Sequence, residues 1–150
     1  MQIFKSEIVA MLLTIINEKI IISKNAIDSA KETRDSDTKS SAGDKYETTR
    51  EMMQIEIDKN TAQLSNAIRL KEELYKIDIN KKFTKAQFGS LLKTNKGFYF
   101  LSIGIGKIAV NAKSVYVIST DSPIGKQILN KQIGDKIQFQ GNEIAIEDII

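Results

Sequence analysis

Three aspartates lie close together in a stretch that is rich in turn-forming residues and nearly empty of apolar side chains. Asp35, Asp37 and Asp44 fall within DSDTKSSAGD, which runs from residue 35 to residue 44. Clustered carboxylates on a turn can chelate a hard cation such as Mg²⁺, which accepts one or two carboxylates and otherwise keeps water. Asp and Ser are also good turn and N-cap residues, and composition alone favours that structural role over a cation site.

Two arginines flank the same stretch. Arg34 precedes it and Arg50 follows it. In an antiparallel helical hairpin the two side chains would face each other near the tip and could bind a phosphate backbone between them. Solvated helix charges explain both arginines equally well, so the sequence leaves the two interpretations open.

The missing residue types restrict the chemistry further. No Cys and no His occur among the 150 residues. A Ser-His or Cys-His nucleophile pair is therefore excluded, and so is a metal site built from thiolates or imidazoles. Any chemistry must come from carboxylates, lysines, arginines, hydroxyls, backbone groups or something bound.

Basic side chains are concentrated in the second part of the chain. Residues 1–82 hold 14 basic and 14 acidic side chains, whereas residues 83–150 hold 8 basic and 5 acidic ones, which together give the net charge of +3. This surplus is either an electrostatic footprint for nucleic acid or ordinary solubilising charge. The lysines concerned are Lys93, Lys96, Lys107, Lys113, Lys126, Lys131 and Lys136.

Glycine indicates where the chain divides. Residues 1–88 contain one glycine, Gly43, and residues 89–150 contain seven. Because helices avoid glycine and β-turns recruit it, the counts predict a helical front and a strand-rich back. We place the two domains at residues 1–82 and 83–150.

The helical part is predicted to be an antiparallel coiled-coil hairpin with an acidic tip near residues 35–44. Two apolar stripes with helical spacing flank this tip, one including Ile22 and the other including Ile68. The apolar run from Ile8 to Ile16 is too short to span a membrane, which takes about 20 residues. No cleavage site of a signal peptide follows it, so we expect a buried helix segment in a cytoplasmic protein.

The second part is predicted to be a four- or five-stranded antiparallel sheet covered by one short helix, an α+β arrangement. Strand-like runs pair across Asn95-Lys96 and across Gly141-Asn142. The helix should begin at Asp121-Ser122-Pro123, which combines a capping side chain with Pro in the first turn. The segment from Gly104 to Lys107 is predicted to be a strand turn and not a phosphate loop, because it lacks the full spacing.

Two stretches resemble the bacterial Gre transcript-cleavage factors. The more specific one is DSPIGKQILNKQIGDKI, from Asp121 to Ile137. In that family a Ser-Pro opens a short amphipathic helix, and a Gly-Asp turn leads into the closing strands. The other stretch is AGDKYETTRE, from Ala42 to Glu51, which is similar to the segment just after the Gre coiled-coil tip. The resemblance covers nearly the whole chain in the same order.

The resemblance implies a partner and a mechanism. Gre factors bind RNA polymerase through the sheet domain, which resembles the FKBP fold, and insert the coiled coil into the secondary channel. Tip carboxylates then help to hold a second Mg²⁺ and a water, so that the polymerase cuts its own backtracked RNA. We therefore expect a monomeric elongation factor that is not itself an enzyme, has no catalytic residues of its own and shares any Mg²⁺ with RNA polymerase.

The resemblance also assigns roles to individual residues. Arg50 matches a family arginine just past the tip and Arg34 lies opposite it, so both are expected to contact nascent RNA. Four residues match the family's polymerase-docking edge, namely Asp121, Ser122, Pro123 and Ile124.

The acidic tip departs from the family pattern. The family tip reads Gly-Asp-x-x-Glu-Asn-Ala-Glu-Tyr, and counting back from the matching tyrosine the two acidic places hold Lys39 and Ala42. Neither side chain can bind a metal. Asp35, Asp37 and Asp44 would have to substitute as the Mg²⁺ site, or else the factor docks and occupies the channel without stimulating cleavage.

Two other classes stay open. A structural adaptor would pair its hairpin with another coiled coil, and an exposed apolar seam such as Ile20 to Ile22 or a stable homodimer would favour that class. A peptidyl-prolyl isomerase is suggested only by the FKBP-like fold, and fold is not function. A sheet domain this small leaves little room for an isomerase pocket, and we expect Tyr99 and Tyr116 in its core.

Overall fold

The computed structural model describes residues 1–36 and 43–150, and of residues 43–46 it describes the backbone alone. Two long helices come first, α1 (Gln2–Ser36) and α2 (Gly43–Tyr75). Six strands and one short helix follow in the order β1 (Leu91–Thr94), β2 (Gly97–Ser102), β3 (Gly106–Val110), β4 (Lys113–Ser119), α3 (Pro123–Ile128), β5 (Lys136–Phe139) and β6 (Asn142–Ile149). The described residues confirm the predicted α+β class.

The chain divides into two compact units. Residues 1–12 and 72–150 form the sheet unit, and residues 13–71 form the hairpin unit. The first turns of α1 and the last turn of α2 therefore belong with the strands.

In the hairpin unit α1 and α2 pack side by side and run antiparallel. Near the tip, Nη1 of Arg34 donates to Oε1 of Gln54 at 2.8 Å. Further from the tip, Ile27 and Ala30 of α1 pack against Ile57 of α2. Because residue numbers fall along α1 as they rise along α2, the contacts confirm the predicted hairpin.

The apolar seam between the two helices departs from the predicted stripes at two positions. Ile22 and Ile68 are 67% and 41% exposed, whereas the neighbouring Ser23 and Ala67 are 4% and 3% exposed. The prediction was wrong at these two isoleucines because it followed the largest apolar side chain. The smaller neighbouring residues are buried in their place.

The sheet has the strand order β3-β4-β2-β1-β6-β5. Its neighbouring strands are antiparallel except for β2 and β4, which pair in parallel from Phe98↔Val115 to Ser102↔Ser119. The prediction of four or five antiparallel strands was therefore wrong in number and in one pairing. The strand that the prediction missed is β3, a mostly exposed edge strand. It begins at Gly106, so the second half of the predicted turn from Gly104 to Lys107 is strand.

Within the sheet unit, helices pack on both faces of the sheet. Phe98 of β2 contacts Phe4 of α1, with ring centroids 4.9 Å apart. Successive strand residues point to opposite faces, so Tyr99 and Leu101 lie on the other face, in one buried cluster with Ile128 of α3. The helix α3 is thereby fixed over the face that carries the candidate site.

Candidate docking site and hairpin tip

The start of α3 is built as the sequence predicts. Ser122 is the N-cap, and its Oγ accepts a hydrogen bond from the Gly125 N–H at 3.0 Å. The same hydroxyl donates to the Ser119 carbonyl oxygen at 2.7 Å, and Pro123 fills the first helical turn. These bonds tie the first turn of α3 to the end of β4 and confirm the predicted helix start.

Gly125 makes this close approach possible. A Cβ added at this residue would lie 2.0 Å from the Ser119 carbonyl oxygen and 2.8 Å from Oγ of Ser122. Every other residue type would collide with the backbone of β4. Steric exclusion by β4 therefore explains why a glycine stands at residue 125, which the sequence alone does not show.

A groove of about 360 Å³ opens beside α3 on the same sheet face. Most of its lining side chains are aromatic or aliphatic, and three are polar. The lining residues are Tyr99, Tyr116, Phe139, Ile118, Ile124, Ile144, Lys96, Gln140 and Asn142. We call it the tyrosine groove.

Two tyrosines on neighbouring strands line the groove. The rings of Tyr99 and Tyr116 stack with centroids 4.8 Å apart and an interplanar angle of 19°. Tyr99 also belongs to the buried core cluster, as expected. Burial raises the pKa of the Tyr99 hydroxyl, and the neighbouring Tyr116 raises it further. The raised pKa means that the Tyr99 hydroxyl loses its proton at higher pH than an exposed tyrosine would.

The four predicted docking residues have different surroundings. Asp121 and Pro123 are exposed, and Ile124 is half-buried in the lining of the tyrosine groove. The hydroxyl of Ser122 is engaged in the helix cap. Asp121 and Pro123 are therefore the most exposed members of the set, while the hydroxyl of Ser122 fixes the start of the helix that carries them.

At the hairpin tip the described residues form one polar cluster. Nε of Arg34 donates to Oδ1 of Asp35 at 3.0 Å, while Nη1 of the same guanidinium bonds Gln54. The hydrogen bond from Arg34 lowers the pKa of the Asp35 carboxyl, and the positive charge of Arg50 lowers it further. The two arginines that we predicted to face each other thus both act on Asp35.

The predicted metal site lies largely outside the described residues. Asp37 and the side chain of Asp44 belong to the part of the chain that the structure does not describe. Among the side chains that the structure describes, in residues 1–36 and 47–150, no group of three or more acidic residues is placed to hold a metal ion. The Mg²⁺ site at Asp35, Asp37 and Asp44 therefore stays a prediction.

Sequence reasoning missed the tyrosine groove. Its lining comes from β2, β4, α3, β5, β6 and the turns beside them, which are far apart along the chain. The alternation in β2 was the available signal, because it separates Phe98 and Phe100 from Tyr99 and Leu101. That signal predicts on which face of the sheet each aromatic side chain lies. It does not predict that a groove stays open beside α3 on one of those faces.

Comparison with known proteins gives no assignment. No family model matches the chain, and neither a curated protein nor a solved structure matches it significantly. Among the helices of the described residues, none is long and apolar enough to cross a membrane.

Proposed function

We propose that this protein is a Gre-like transcription elongation factor whose sheet unit, FKBP-like in this proposal, docks on RNA polymerase. The observation that carries the proposal is the placement of Ile124. This residue belongs to the Gre-like run from Asp121 to Ile124 and also lines the tyrosine groove. A partner that contacts this run would therefore meet an apolar anchor site beside it, as stable interfaces require.

In this proposal the hairpin unit enters the secondary channel of the polymerase, with Arg34 and Arg50 toward nascent RNA. Asp35 is already hydrogen-bonded to Arg34, which offsets its negative charge. Lys39 and Ala42 stand at the two acidic places of the family tip. Both features favour a factor that occupies the channel without stimulating cleavage. The alternative is that the tip holds Mg²⁺ with the polymerase and promotes transcript cleavage.

The test combines the purified protein with a backtracked elongation complex and Mg²⁺. We expect co-elution with the polymerase and loss of co-elution for Asp121→Arg, which reverses the charge beside Pro123 and Ile124. Glu147→Arg is the matched control, because it makes the same charge change at another exposed position of the sheet unit. If Asp121→Arg co-eluted at the native level, or if the control lost co-elution equally, the assignment of the docking surface would be contradicted.

The same reaction distinguishes the two modes of action. RNA length is measured on a gel alongside binding. Shortened RNA would establish a cleavage factor and a working aspartate tip, whereas binding without shortening would establish a regulator that occupies the channel. Failure of the native protein to bind would contradict the proposal as a whole.

A second candidate function is the structural adaptor. Ile21 and Ile22 of α1 are both more than half exposed, and this is the seam that we named as favouring that class. An adaptor would cover these side chains with another helix and would be independent of polymerase. A stable homodimer in light scattering, together with absence of polymerase binding, would put this function first.

A further inference from the structure

Six lysines of the basic second part line three separate clefts of the sheet unit. Lys96 lines the tyrosine groove, and Lys93 and Lys113 line a second cleft that also contains Glu147 and Asp148. A third cleft, of about 440 Å³, is lined by Lys126, Lys131 and Lys136. We call it the three-lysine cleft.

Each lysine of this cleft is carried by a fixed backbone. Lys126 lies on α3, and Lys136 begins β5, where it pairs with Ala145 of β6. Between them, the carbonyl oxygen of Lys131 accepts from the Ala86 N–H at 2.8 Å, and its own N–H donates to Ile128 at 3.0 Å. Binding an anion here would therefore order lysine side chains without having to order the backbone.

The charge of the cleft is unbalanced. Its other lining residues in the described chain are Gln127, Leu129 and Ile137, so the lining itself carries no carboxylate. Nζ of Lys136 lies 3.5 Å from Oε1 of Glu143, but both side chains are at least half exposed. Such an exposed ion pair is weak, and it leaves the positive charge of the other two ammonium groups uncompensated by the lining.

We propose that the three-lysine cleft binds the phosphate backbone of a nucleic acid without reading its bases. Ammonium groups are point charges that suit phosphates, and sequence-independent binding depends on such contacts. A protein partner would need a deep apolar anchor site, whereas the cleft offers only Leu129 and Ile137. Base recognition by stacking would need aromatic side chains, and the lining of the three-lysine cleft has none. This binding goes beyond the proposed function, because it requires no polymerase.

The experiment uses the free full-length protein and a labelled single-stranded RNA of about twelve nucleotides, with binding followed by fluorescence anisotropy from about 50 to about 200 mM salt. Three phosphate contacts should give a slope of about −2 for the logarithm of the binding constant against the logarithm of salt concentration. Replacing Lys126, Lys131 and Lys136 together by Gln should weaken binding by about tenfold or more at low salt and flatten the slope.

A matched control removes the same number of charges from the same unit. The combined variant Lys93→Gln, Lys96→Gln and Lys113→Gln should bind RNA within about twofold of the native protein, because its lysines lie outside the cleft. A third variant, with Arg at residues 126, 131 and 136, keeps the charge and should keep the affinity. If the Gln variant proves less stable than the native protein, the affinity of the Arg variant still tests whether the positive charge binds the RNA.

Four results would overturn the proposal. The first is unchanged affinity after removal of the three lysines, and the second is equal loss in the control variant, which would assign binding to overall surface charge. The third is displacement of the RNA by poly-glutamate at lower charge concentration than by unlabelled RNA, which would assign the cleft to an acidic protein. Loss of affinity in the Arg variant would equally contradict binding by charge alone.

Discussion

At the scale of single residues, Lys5 of α1 is an unusual group because its side chain is fully buried. Its Nζ donates to the Ile150 carbonyl oxygen at 3.5 Å and lies 4.8 Å from the centroid of the Phe83 ring. Burial lowers the pKa of Lys5 from its ordinary 10.5, and the nearby Asp78 carboxylate opposes this shift only in part. The fold therefore keeps a cation where its charged form is disfavoured.

This position predicts a particular dependence of stability on pH. Between the lowered folded pKa and 10.5, the unfolded chain holds more protons at Lys5 than the folded chain, so stability should rise with pH toward 10.5. Lys5→Met removes the charge at similar length. Its free energy of unfolding in urea should exceed that of the native protein at pH 7, and the difference should shrink as pH approaches 10.5. Lys85→Met, at an exposed lysine, is the control, and a difference for Lys5→Met that is constant with pH would contradict the burial argument.

At the scale of elements, the packing of α3 against β4 depends on one missing side chain. Gly125→Ala would place a Cβ 2.0 Å from the Ser119 carbonyl oxygen, so the helix must shift or its cap must break. Overpacking of this kind lowers the free energy of unfolding by about 1–3 kcal/mol, which urea unfolding would measure. Gly104→Ala, whose Cβ meets nothing within 4 Å, should change stability by less than about 0.5 kcal/mol. Equal losses in the two variants would show that glycine flexibility, not contact, is decisive.

The same elements show how far the sequence predicts the fold. The turn before β6 lies at Gln140-Gly141, one residue earlier than predicted, because Asn142 already pairs with Phe139 of β5. Local signals were sufficient for α3 and for the turn at Asn95-Lys96, because capping and turn preferences act over a few residues. They were insufficient for β3, whose turn into β4 is formed by Asn111 and Ala112, both with positive φ and neither a glycine. The parallel pairing of β2 with β4 also escaped prediction, since it joins strands that no hairpin connects. The tyrosine groove depends on that long-range arrangement, because Tyr99 of β2 and Tyr116 of β4 both line it.

At the scale of the whole molecule, the chain passes between its two compact units twice, once in α1 and once in α2. The sheet unit consequently depends on helical residues that flank the hairpin unit on both sides, in residues 1–12 and at the end of α2. Ile8 and Leu12 of α1 are fully buried, and Leu74 of α2 is almost so. The hairpin unit has its own small cluster at Ile27 and Ile57.

Two matched substitutions test whether these units are separate in stability. Ile8→Ala and Ile57→Ala each remove the same atoms from a buried site, and such changes cost about 2–5 kcal/mol. In native-state hydrogen exchange, Ile8→Ala should lower protection in peptides from residues 91–149, whereas Ile57→Ala should lower it in peptides from residues 13–71. The physical reason is that each side chain lies in the core of only one unit. If each substitution lowered protection equally in both sets of peptides, the chain would unfold as one cooperative body, and the division into units would have no thermodynamic meaning.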